Sequence, residues 1–163
     1  MIGWRRTALD ALGSETFDLV VIVLESGGDT LLGRELVEEA HDVLPAGGRL
    51  LAATDRKHHW MMKVVKEVFG NAELPRMGER GGAVVSARRH ESTPRRRDHG
   101  HSVRVSRAGR ELTIRTRPGV FCHGRLDQGT KALLASFTAA PGERILDLGC
   151  GAGALGIAAA ADP

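Results

Sequence analysis

The sequence predicts an α/β protein, on three observations. The segment Phe17-Asp18-Leu19-Val20-Val21-Ile22-Val23-Leu24 is a nearly unbroken apolar run of strand length, as expected of a strand covered on both faces in a parallel sheet. It alternates with stretches of helical periodicity and further short strands, the order expected of right-handed α/β units. Near the other end, Arg144-Ile145-Leu146-Asp147-Leu148 runs into Gly149-Cys150-Gly151-Ala152-Gly153 and then an Ala/Leu/Ile segment, which reads as strand, tight turn and helix.

At 163 residues the chain has room for one sizeable domain or pieces of two, and 42% hydrophobic content allows a packed core. Formal net charge is +3, so the chain is only mildly basic. Cys122 and Cys150 have neither metal-ligand spacing nor a secreted disulfide pattern. No apolar run approaches the roughly 20 residues of a membrane span, and Trp4-Arg5-Arg6 is not followed by the apolar stretch of a signal peptide. The expectation is a cytoplasmic protein without a membrane or metal partner.

In order, residues 4–13 form a short helix-like segment, and the first strand ends at Glu25-Ser26-Gly27-Gly28. Residues 30–44 read as a helix, with Leu32, Leu36, Val37, Ala40, Val43 and Leu44 at helical spacing; Pro45-Ala46-Gly47-Gly48 stops it. Residues 49–54 are a second strand, 60–69 a second helix and 83–87 a third strand after Gly81-Gly82. No glycine-rich phosphate turn lies among them, and the first strand is expected to present an unpaired edge. Glu38-Glu39 with His41-Asp42 reads as a polar helix face. His58-His59 beside Asp55 reads as solvated surface, because adjacent histidines on a helix project in different directions.

From Arg88 to His101 apolar residues almost vanish, and Arg88, Arg89, Arg95, Arg96 and Arg97 stand with His90, His99 and His101. By composition this is a linker; as a charge pattern, continued by Arg104, Arg107, Arg110, Arg115 and Arg117, it suits nucleic-acid phosphates. Residues 102–107 and 111–116 alternate around Ala108-Gly109, a hairpin signature. Asp127 is placed to cap a helix running to Phe137, and Pro141-Gly142 leads to the glycine stretch.

Glycines at 149, 151 and 153 leave the turn without side-chain bulk, so a ligand can lie on backbone N–H groups, while Asp147 can accept from an ammonium or a hydroxyl. The spacing also satisfies a dinucleotide pattern, as Gly149-x-Gly151-x-x-Ala154 or Gly151-x-Gly153-x-x-Gly156. An acidic residue two places before Gly149 adds negative charge near a pyrophosphate, so a cationic ligand accounts for Asp147 better.

Asp147-Leu148-Gly149-Cys150-Gly151-Ala152-Gly153 resembles motif I of class I S-adenosylmethionine-dependent methyltransferases. Thr116 to Phe121 and Leu126 to Leu134 are similar to the entry segment of the methyltransferase small domain family, in particular its two-domain 16S rRNA guanine-N2 methyltransferases. Residues 17–89 resemble, more weakly, the rear half of that group's degenerate N-terminal copy of the fold.

The resemblance implies a Rossmann-like fold, with a partial degenerate domain over 1–89, a basic linker and hairpin over 90–117, and the start of a cofactor domain over 118–163. It implies S-adenosylmethionine as cofactor, with Gly149, Gly151 and Gly153 under its methionine end and Asp147 near its amino group. Asp127, Gly129 and Thr130 would open the helix closing over that end, and Cys150 would be a loop residue, not a nucleophile. Ribosomal RNA or the small ribosomal subunit is the implied partner, held in part by the basic linker.

The family's ribose-holding acid and its Asn-Pro-Pro-aromatic motif would lie beyond Pro163. The only asparagine is Asn71. The sequence is therefore expected to be an internal or truncated segment, with little or no activity by itself. The alternatives are a non-catalytic RNA-binding or scaffold fragment, and a methyltransferase of the same superfamily acting on protein glutamine, DNA adenine or a small molecule.

Overall fold

The computed structural model describes residues 15–24, 29–55, 58–79, 81–91 and 97–162. The expected helix at 4–13, the turn at 25–28 and Arg95 and Arg96 of the basic stretch lie outside the described residues. The chain divides between Arg97 and Asp98 into two compact units.

The first unit contains β1 (Leu19–Leu24), α1 (Thr30–Val43), β2 (Arg49–Thr54), α2 (His58–Phe69), β3 (Glu73–Met77) and β4 (Ala83–Arg88). Asp29 caps α1, its side chain accepting from Leu31 N at 2.8 Å. The strands form one sheet in the order β1-β2-β4-β3. β1 and β2 are parallel, joined through α1 as expected of a βαβ unit. The expectation of parallel units fails at the third expected strand: β4 runs antiparallel to β2. The reason is an additional strand. α2 delivers the chain to β3, and a tight turn in which Gly78 N donates to Gly82 O at 2.6 Å returns it as β4, inserted between β3 and β2.

Both helices serve one face of the sheet. Ile22, Leu50, Ala52, Val85 and Ala87 pack with Val37, Ala40 and Leu44 of the α1 region and with Met61, Val64, Val65, Val68 and Phe69 of α2. Burying each of the larger side chains contributes about 1.5–3 kcal/mol. β1 is therefore not covered on both faces, contrary to expectation: Ile22 is buried, but Val21 and Val23 are 61% and 75% exposed. Gly33 lets α1 and α2 approach closely, since a Cβ there would lie 2.8 Å from the Trp60 ring.

The turn after α1 is tied to the end of β4. Gly47 N donates to Arg89 O at 2.8 Å, Arg89 N to Gly48 O at 2.9 Å, and the Arg89 guanidinium to Leu44 O. Asn71 fastens the same end: its amide donates to Arg88 O at 2.8 Å and to Phe69 O at 3.0 Å, and its carbonyl accepts from Arg88 N at 3.0 Å.

The expected polar face on α1 is not one. Glu35, Glu38, Glu39 and His41 are all buried. Arg34 donates to Glu38 at 2.9 Å and to Glu67 of α2 at 2.7 Å, so the carboxylates there are paired. His41 meets the Phe69 ring edge-on, with ring centroids 5.0 Å apart.

The second unit contains β5 (His101–Arg107), β6 (Arg110–Thr116), α3 (Gln128–Ser136) and α4 (Ala154–Ala159). β5 and β6 form the expected antiparallel hairpin, and both turn residues, Ala108 and Gly109, have positive φ as a two-residue hairpin turn requires. Val105, Ile114 and Ala154 form its small core, with Leu112, Leu126, Leu134 and Ala152 against them. The expected strand at 145–148 is absent. Ile145, Leu146 and Leu148 are 48%, 79% and 84% exposed, and among the described residues no strand lies alongside to take their backbone hydrogen bonds.

Candidate functional site

Asp127 caps α3. Its carboxylate accepts from Thr130 N at 3.0 Å and from the Thr130 hydroxyl at 2.6 Å, and these bonds, the hydroxyl's foremost, hold its carboxyl below the usual carboxylate range. Gly129 belongs to the same device: a Cβ there would come within 3.1 Å of the Asp127 oxygen.

The glycine loop has the expected bareness. Gly149, Gly151 and Gly153 have φ of 74°, 55° and 76°, a left-handed conformation that L side chains rarely adopt. A Cβ at Gly149 would meet nothing within 4 Å, so its backbone faces open space. Gly153 begins α4, and Gly153 N donates to Cys150 O at 2.8 Å.

These two pieces meet. Asp127, Thr130, Gly149, Cys150 and Gly151 line one cavity of about 80 Å³, closed on another side by Val103, Ile114 and Thr116 of the hairpin. A pocket enclosing a drug-sized ligand has roughly 300–1,000 Å³, so this cavity is too small to enclose such a ligand whole. Asp147 is placed elsewhere. It lines a separate hollow of about 520 Å³ with Pro141, Gly142, Gly156 and Asp162. Its Oδ2 atom is buried without a hydrogen-bond partner among the described residues. The orphaned carboxylate oxygen suits a donor group such as an ammonium or a hydroxyl.

Two anchoring residues were not singled out from the sequence. Thr116 Oγ1 accepts from Gly124 N at 2.9 Å and lies 3.0 Å from His123 Nδ1, pinning the loop before α3 to the hairpin. Arg107, counted above with the phosphate-attracting arginines, is largely buried. It donates to both oxygens of Asp162, each at 2.6 Å, and to Leu134 O and Phe137 O, with its guanidinium 4.8 Å from the Phe137 ring centroid. The sign of Arg107 was legible in the sequence, but its partners come from distant positions.

Among the described residues no group of three or more His, Cys, Asp or Glu side chains is placed to hold a metal ion, and no helix is long and apolar enough to cross a membrane. The rings of His58 and His59 stand 4.0 Å apart.

The model of the methyltransferase small domain matches residues 111–163. A stretch of 48 residues is 56% identical to ribosomal RNA small subunit methyltransferase C of Pseudomonas aeruginosa, covering 29% of this chain and 14% of that protein. A 55-residue stretch is 47% identical to the protein of the same description from Photobacterium profundum, covering 34% and 16%. Among solved structures, a 16S rRNA N2 methyltransferase of T. thermophilus in complex with AdoMet and guanosine matches with a TM-score of 0.63 at 25% identity. That match covers 78% of this chain and 34% of the other, so the chain spans about a third of that protein and much less than two thirds of the curated relatives. Residues 111–163 are thus similar to the methyltransferase small domain, on a chain whose α/β architecture is similar to that of a Rossmann-like methyltransferase.

Proposed function

We propose that the chain is part of an S-adenosylmethionine-dependent methyltransferase that modifies a guanine N2 of 16S ribosomal RNA in the cytoplasm. The domain division proposed with it is a partial degenerate domain over 1–89, a linker and hairpin over 90–117, and cofactor-binding residues from 118 onward. The observation that carries the reading is the shared cavity of the left-handed glycine loop and the Asp127-Thr130 cap, inside the stretch that the family model matches.

The bound cofactor would supply a methyl group on a sulfonium, which is already electrophilic, so the protein's task is alignment. Gly149 and Gly151 would offer bare backbone to its methionine end, with Cys150 between them and Gly153 turning the chain into α4. Asp127, Gly129 and Thr130 hold the start of α3 beside that loop. Asp147, with its unpartnered oxygen, would accept from the amino group once the loop and the cofactor come together.

The test is calorimetric titration of the chain with S-adenosylmethionine. Saturable binding that Gly151→Asp removes supports the reading. A reduced, folded chain that takes up no cofactor at any accessible concentration overturns it for this piece of the protein.

One observation favours RNA as partner. Arg104 and Arg115 are exposed on one face of the hairpin, opposite Thr113 and Ser102, with Glu111 and Asp98 as their ion-pair partners. Such a strip of cations and hydroxyls suits phosphates. A second reading, RNA binding without catalysis, rests on the same strip; salt-sensitive RNA binding without cofactor binding would select it.

A further inference from the structure

Both cysteines of the chain line the small cavity that holds the glycine loop and the α3 cap. We propose that Cys122 and Cys150 are a dithiol modification site, joined across this cavity on reaction with a small-molecule disulfide of the oxidised-glutathione class. A Cβ at Gly151 would lie 3.8 Å from Val120 Cγ1, so the loops that carry the two cysteines are adjacent where they line this cavity.

Both thiols are free, Cys150 exposed and Cys122 half-buried. Cys122 sits at φ 55°, a left-handed conformation held by consecutive turns in which His123 N donates to Val120 O and Arg125 N to Cys122 O. Thr116 pins the neighbouring Gly124. Cys150 stands between two left-handed glycines, and its sulfur makes a weak 3.9 Å approach to Gly151 O. A half-buried thiol on a hydrogen-bonded turn and an exposed thiol on the glycine loop therefore border the same cavity.

The exchange balances. The Cys150 thiolate attacks one sulfur of oxidised glutathione, forms a mixed disulfide and releases one glutathione thiolate. Cys122, as thiolate, then attacks the Cys150 sulfur and expels the second glutathione. The protein loses two hydrogens, and two electrons pass to the oxidant. The new bond ties the loop before α3 to the glycine loop, so the oxidised chain excludes the ligand. That last step rests on the cofactor reading above.

The test treats the reduced chain with excess oxidised glutathione and reads intact mass, free thiols and S-adenosylmethionine affinity. The expected product has lost two hydrogens, yields a Cys122–Cys150 linked peptide and returns to the starting mass with dithiothreitol. Cys122→Ser and Cys150→Ser should each end as a single glutathione adduct. Affinity should fall by at least about ten-fold on oxidation of the wild-type chain and recover on reduction. Two glutathione adducts, or a disulfide-linked dimer in place of the internal bond, overturn the site. A disulfide with unchanged affinity overturns the exclusion. A disulfide in a chain that binds no cofactor even when reduced supports the dithiol site and counts against the cofactor reading alone.

Discussion

Arg107 and Asp162, 55 positions apart in sequence, meet through two parallel hydrogen bonds of 2.6 Å, and through them the end of β5 is fastened to the segment after α4. The Asp162 carboxylate also accepts from Ala139 N at 2.7 Å, while the guanidinium reaches the carbonyls of Leu134 and Phe137. One ion pair thus closes the second unit at the far end from the Asp127 cap. Its small apolar core, with Val105, Ile114 and Ala154 as the buried members, leaves much of the cohesion to such polar ties.

Arg107→Lys should lower the melting temperature clearly more than Arg104→Lys does. A lysine ammonium cannot reproduce the fork that serves Asp162 and two carbonyls together. Arg104 is 76% exposed and stands 3.7 Å from Glu111, where a point charge serves as well. Equal effects in paired thermal scans would show that the fork contributes nothing beyond its charge.

The same pair predicts acid sensitivity. The hydrogen bond from Arg107 first, and that from Ala139 N, hold the Asp162 carboxyl below its ordinary value of 3.8. In the fold it therefore stays ionised where the unfolded chain already takes up a proton. Its contribution is complete above that value and is lost as pH falls below it. Asp162→Asn should be less stable at neutral pH and should show a shallower acid limb in unfolding curves.

His41 predicts a second, separate window. Burial, helped by the Arg89 guanidinium and opposed by Asp42, pushes its imidazole below 6.5. Neither ring nitrogen has a partner among the described residues. The folded chain keeps the ring neutral while the unfolded chain binds a proton, so stability rises with pH through this window. It is complete above 6.5 and falls below it. Chemical denaturation between about pH 7.5 and about pH 5.5 should show a weaker pH dependence for His41→Leu than for the wild-type chain.

Much of this fold was legible wherever one residue or a short run carries the determinant. The short apolar run at 49–54 marked β2, Ala108-Gly109 marked the hairpin turn, and Asp127 announced its cap. β3 was illegible because Pro75 interrupts it; the strand survives because it lies at the sheet edge, where a missing N–H costs no ladder bond. The buried carboxylates of α1 looked like a solvated face because Arg34 and Glu67, which pair there, become neighbours only in the packed unit. At the candidate site, the glycine loop and the α3 cap were legible as local turn chemistry. The removal of Asp147 to another hollow was not, since it depends on how the chain lies against α4.

β1 should be the chain's weak point for self-association. It pairs with β2 on one side only, and among the described residues no strand pairs with its other side; Val21 and Val23 are exposed. A flat apolar edge invites another strand. Val21→Lys should suppress concentration-dependent light scattering while leaving the circular dichroism spectrum unchanged. Undiminished scattering would place the association elsewhere.

The glycines of the loop should separate strain from contact. At Gly149 a Cβ meets no atom within 4 Å, so Gly149→Ala adds only the cost of a left-handed alanine, about 1 kcal/mol. Asparagine tolerates that conformation better, and Gly149→Asn should recover part of the loss in denaturant titrations. At Gly129 the backbone is helical and the obstacle is the Asp127 oxygen, 3.1 Å from an added Cβ, so Asn gives no relief over Ala there. If the cavity receives the cofactor, Gly149→Ala should also weaken S-adenosylmethionine binding beyond its effect on stability, because the methyl group would stand where the bare backbone meets the ligand. An alanine variant that loses stability but keeps its affinity would move the ligand away from Gly149.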